Sequence, residues 1–71
     1  MSDLKWQGFL QKARGRIKSA WGDLTDDDLD RAAGDRDQLV GVIKERTGEA
    51  EDTIRRRLQE FEADEDKQAD R

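Results

Sequence analysis

A chain of 71 residues that is 32% hydrophobic and 45% charged can bury only a small core, near the lower size limit for a domain that folds without a staple. It has no cysteine, which excludes disulfides and thiolate metal sites, and no histidine, which removes the commonest general base and metal ligand. The net charge of −4 is unevenly placed: residues 1–21 carry five bases against one acid, and residues 22–71 carry nine bases against seventeen acids. A basic arm on an acidic body can be its own partner, which weakens any inference from charge to nucleic acid.

The first helix is expected over 3–20. Trp6, Leu10, Ala13, Ile17 and then Ala20 or Trp21 recur at steps of three and four, and Leu24 continues the series; that spacing is one face of a helix. Phe9 widens the stripe. At 100° per residue, Lys5, Lys12 and Arg16 fall on one flank and Arg14 and Lys18 on the other. Gly8 and Gly15 lie opposite the stripe, where each costs about 1 kcal/mol of helix stability against alanine.

The stretch Trp21–Asp30 is a corner, with Gly22 ending one helix and Thr25 placed to cap the next. Asp28, three residues beyond Thr25, makes a shortened capping box, and Asp26, Asp27 and Asp28 fill a first turn that favours acids. This second helix is expected over 26–33, with Leu29, Ala32 and Ala33 inward and Gly34 as its stop. The third is expected over 36–47, capped by Asp35 with Gln38 three residues on. Leu39, Val40, Val42 and Ile43 make the densest apolar cluster in the chain, and Gly48 closes the helix behind Lys44 and Arg46. The fourth is expected over 50–62 along the stripe Ala50, Ile54, Leu58 and Phe61. Residues 63–71 hold no apolar side chain larger than alanine and are expected to form an acidic, disordered tail after a domain of residues 1–62. Proline is absent and strand-like alternation is not found, so the chain reads as all-α. No apolar run has signal-peptide length or approaches the ~20 residues of a membrane span, and a cytoplasmic location is expected.

Trp6, Gly15, Trp21-Gly22, the run Leu24 to Leu29, Gly34, the run Arg36 to Gly41, the run Ile43 to Arg46, and Gly48 resemble the CsbD-like family of small bacterial proteins. The likeness covers roughly residues 4–62. It implies a small bundle of four helices built as two hairpins packed across each other, a role in general stress response, and no assigned catalytic or binding residue. Thr47 departs from the family, which often has an aromatic residue there.

Three charged groups are candidates for chemistry. Asp26, Asp28 and Asp30 have the one-three-five spacing of a calcium loop with Asp37 at the twelfth place, but Arg31 stands where glycine is needed and the twelfth ligand should be glutamate; an acidic first turn accounts for the same residues, and no metal or cofactor is expected. Lys5, Lys12, Arg14, Arg16 and Lys18 could contact phosphate backbones, with Trp6 and Phe9 near enough to stack on bases. Both aromatics share the core stripe, however, and the same helix laid on anionic lipid would need that stripe too. Arg55, Arg56 and Arg57 are read as self-paired with Glu51, Asp52 and Glu60 one turn away. No serine or threonine has a histidine beside it to act as base, so no catalysis and no small-molecule substrate are expected. The sequence therefore points to a non-enzymatic, hydrophilic, monomeric stress-response protein, of the composition seen in proteins that accumulate under water stress (mean hydropathy −1.18). The alternative is an interaction module that binds nucleic acid or a protein through its basic first helix. The sequence names no physiological partner.

Overall fold

In the computed structural model, which describes residues 4–69 and the side chains as far as Glu65, the corner at Trp21–Asp30 is as the sequence requires. The Leu24 amide donates to the Trp21 carbonyl at 3.0 Å, closing the turn after α1 (Leu4–Ala20). Thr25 then caps α2 (Asp26–Arg31): its hydroxyl accepts from the Asp28 amide at 3.2 Å, and the Asp28 carboxylate accepts from the Thr25 amide at 3.1 Å. The reciprocal box satisfies two backbone donors that a helix start leaves orphaned. Asp35 caps α3 (Arg36–Thr47) with its own side chain, accepting from the Gln38 amide at 2.9 Å, and Gly48 ends it in the left-handed region at φ 78°, which glycine adopts without a Cβ penalty. Thr47 spends its hydroxyl on the backbone, donating to the Ile43 carbonyl and accepting from the Glu49 amide.

Two boundaries differ from expectation by more than one residue. α2 ends at Arg31, because the amides of Ala32 and Ala33 turn back to carbonyls three residues behind and tighten the last turn. α4 (Glu51–Ala69) runs seven residues past Glu62, so residues 63–69, expected in a disordered tail, are helical; residues 70–71 lie outside the described residues. Alanine, glutamate, lysine and glutamine are good helix formers, an ion pair from α1 meets this segment, and one from α3 meets Glu62 at its root.

The described residues form four helices and no strand. α4 is the shared wall, packing on both α3 and α1, while α2 packs on α3. Between them lie Trp6, Leu10, Ile17, Trp21, Leu24, Leu39, Ile43, Ile54 and Leu58, all buried as the periodicity requires, together with Ala13, Leu29, Ala32, Val40 and Val42. Phe9, Ala20, Ala33 and Phe61 pack on the rim of this cluster. Each tryptophan satisfies its indole N–H while its ring is buried: Trp6 Nε1 donates to the Ala32 carbonyl and Trp21 Nε1 to Glu49 Oε1, both at 3.1 Å. These bonds tie the two ends of α1 to the end of α2 and to the loop before α4. No helix among the described residues is long and apolar enough to cross a membrane.

Candidate site: a basic helix and the carboxylates that meet it

The two flanks of α1 face two different helices. On one, Arg14 reaches Asp26 Oδ1 at 3.0 Å and Asp30 Oδ1 at 3.3 Å, and Lys18 joins Asp26 at 3.0 Å. On the other, Arg16 reaches Asp64 at 2.9 Å and Glu65 at 3.7 Å on α4, and its guanidinium lies 4.7 Å from the centre of the Phe61 ring. Lys5 and Lys12 are exposed. Of the five residues proposed from sequence to meet phosphate, the fold thus gives Arg14, Arg16 and Lys18 at the least to carboxylates of the same chain. The hydrogen bonds from Lys18 and then Arg14 hold the Asp26 carboxyl below the usual aspartate value, and Asp26 and then Asp30 raise the Arg14 guanidinium above its own. The aromatics that would have stacked on bases are committed as well: Trp6 is buried, and Phe9 packs on the core edge with its ring 5.4 Å from that of Trp6.

The aspartates of the calcium-like spacing are divided among different cations. Asp26 and Asp30 turn to α1, Asp37 pairs with Arg55 at 3.0 Å, and Asp28 points inward. No group of acids among the described residues is gathered for a metal. Asp28 is fully buried and binds Arg46 of α3 at 3.0 Å, with Arg31 at 3.6 Å. The Thr25 amide first, and the Arg46 guanidinium after it, lower its pKa against the opposing effect of burial. One carboxylate therefore caps α2 and fastens α2 to α3. Its capping role is local and visible in the sequence; its partner is eighteen residues away and carries no local signal.

Long-range pairing also replaces the intrahelical pairing expected of the arginine run. Arg55 meets Asp37 on α3, Glu51 meets Lys44 at 3.8 Å, and Arg57 lies 5.6 Å from the centre of the Trp21 ring. Arg36, at the start of α3, grips Glu62 through Nε and Nη2. Among the described residues no buried side-chain polar atom lacks a partner. A groove of about 210 Å³ lies between α1 and α2, lined by Gln7, Leu10, Gln11, Arg14, Leu29, Asp30 and Ala33. That is below the roughly 300 Å³ at which small-molecule pockets begin, and its two charged groups are paired with each other.

The CsbD-like family model matches residues 5–56. A UPF0337 protein of Bordetella pertussis is 41% identical over 54 residues, covering 76% of this chain and 82% of that protein. The UPF0337 protein YjbJ of Escherichia coli K12 is 42% identical over 55 residues, covering 78% and 80%, and a UPF0337 protein of Pseudomonas aeruginosa is 40% identical over 55 residues, covering 78% and 85%. No solved structure matches the chain.

Proposed function

The chain belongs to the CsbD-like family, and from that membership we propose that it is a non-enzymatic, cytoplasmic, monomeric stress-response protein that acts as a hydrophilic protectant when water activity falls. The observation that supports this reading is the disposition of its charge. The basic flanks of α1 are neutralised from within by α2 and α4, and the acids in excess stay on the surface. Among the described residues the large apolar side chains are buried or packed on the core edge, Leu4 excepted. Such a surface keeps a strong hydration shell and resists association as the chain is concentrated. Its exposed carboxylates and guanidiniums can shield the polar surface of a neighbouring protein when water is withdrawn. The hydroxyls of Thr25 and Thr47 are spent on backbone groups, which agrees with a role without covalent chemistry.

The test is to dry a labile client enzyme with and without the protein and to assay it after rehydration. Retained activity that rises with the protein-to-client ratio, with no stable complex on gel filtration, is the expected result. Protection no better than that of albumin at equal mass overturns the reading. Salt-dependent retention on DNA, lost when Lys5, Lys12, Arg14, Arg16 and Lys18 are replaced by glutamine, would overturn it in favour of a nucleic-acid-binding module.

A further inference from the structure

The last two turns of α4, residues 62–69, contain no apolar side chain larger than alanine, so no large apolar anchor holds them to the bundle. Their own electrostatics oppose the helix. Glu62 and Glu65 are like charges three residues apart on one face. What meets the segment is a pair of arginines from two other helices. Arg16 of α1 takes Asp64 and Glu65, and Arg36 of α3 takes Glu62 with two nitrogens. Both guanidiniums are steadied over rings of the core: Arg16 is 4.7 Å from the centre of Phe61 and Arg36 is 5.8 Å from that of Trp6. Phe61, at the root of the segment, is half-buried and sits edge-on to Trp21 at 6.0 Å.

We propose that residues 62–69 are a strap fastened by Arg16 and Arg36, which rising ionic strength releases, freeing the face of Phe61 from the Arg16 guanidinium that lies over it. The guanidiniums stay open to mobile ions, with the Arg16 and Arg36 side chains 39% and 46% exposed, while their partners Glu65 and Glu62 are covered to 16% and 27% exposure. The Debye length falls from ~10 Å at 0.1 M salt to ~3 Å at 1 M. For the strap to be helical at low salt, the contact attractions must exceed the repulsion among its acids. Salt weakens these exposed ion pairs, and with them the grip on a segment that has no large apolar anchor. Ile54 and Leu58, which anchor the first half of α4 by burial, are indifferent to salt over this range. The inference rests on the protectant reading and gives it a control: loss of water concentrates ions, and the strap then frees an aromatic face for a client surface.

Amide hydrogen exchange on the full chain tests it. In the wild type, residues 62–69 are expected to exchange roughly tenfold faster in about 1 M than in about 0.05 M sodium chloride, while amides at Ile43 and Ile54 hold their rates. The R16Q/R36Q double variant is expected to show the fast rates at low salt already. Protection of 62–69 that is unchanged by salt, or unchanged in the double variant, overturns the strap. So does loss of protection at Ile43 and Ile54 in parallel, which would mean global unfolding. The drying assay separates the two readings. If the wild type gives no protection, the protectant role fails while exchange still decides the strap. If the double variant protects no better than the wild type at low salt, the control fails while the protectant role stands.

Discussion

α3 and the far half of α4 are both helical, yet they are held by opposite means. α3 is capped at both ends and buries Leu39, Val40, Val42 and Ile43 within twelve residues. The far half of α4 has no such apolar cluster among its described side chains and is gripped by guanidiniums from α1 and α3. The first arrangement is encoded within a few residues of itself; the second exists only because distant parts of the chain arrive beside it. A charged chain of this size can therefore have a firm centre and a conditional edge. In so small a domain a few kcal/mol separates folded from unfolded, and most of that must come from the centre.

The largest effect should follow from damage to the centre. Ile43→Ala leaves a cavity where α3 meets its neighbours and is expected to cost about 2–4 kcal/mol, seen as a large fall in the urea midpoint. Asp64→Asn, which removes one surface partner of Arg16, should move that midpoint by about 0.5 kcal/mol or less. Equal effects would erase the distinction between the two regions. Acid should act next. Asp26 and Asp28 have folded pKa values lowered by the partners that hold them, so their contribution is present above the unfolded carboxylate value of about 4 and is lost as pH falls through the folded values. The urea midpoint should therefore drop on going from neutral pH to about pH 3, and Asp28→Asn should flatten the dependence. A steady midpoint across that window would show that the Asp28–Arg46 link does not fasten α2 to α3.

Smaller effects sharpen the contrast between local and distant support. Thr25→Ala removes the hydroxyl that accepts from the Asp28 amide, and a cost of about 1 kcal/mol in urea titration is expected, the usual worth of a cap. Gly15→Ala should stabilise by roughly 0.5–1 kcal/mol. Gly15 lies inside α1 on its outer side, and a methyl there would meet nothing within 4 Å. A melting temperature lower than that of the wild type would mean that this face is covered in solution, and a melt that depends on concentration in the wild type alone would identify the cover as a second copy.

Periodicity and capping were legible along the chain. Steps of three and four marked Trp6, Leu10, Ile17, Ile54 and Leu58 for burial, and the Thr25 and Asp35 caps with the Gly48 stop set three helix ends to within a residue. Those features depend on neighbours a turn away, which is the range over which a sequence speaks for itself. The candidate site was legible only as an inventory of charges. That Arg14 and Lys18 serve α2 while Arg16 serves α4, that Asp28 finds Arg46, and that Arg55 prefers Asp37 to its helical neighbour were decided by the packing. So was the helix at residues 63–69, whose partner in α1 lies 48 residues away. A long charged side chain can reach any opposite charge that the core brings within a few ångströms. Its partner is therefore set by how apolar faces stack, and no local pattern in the chain records it.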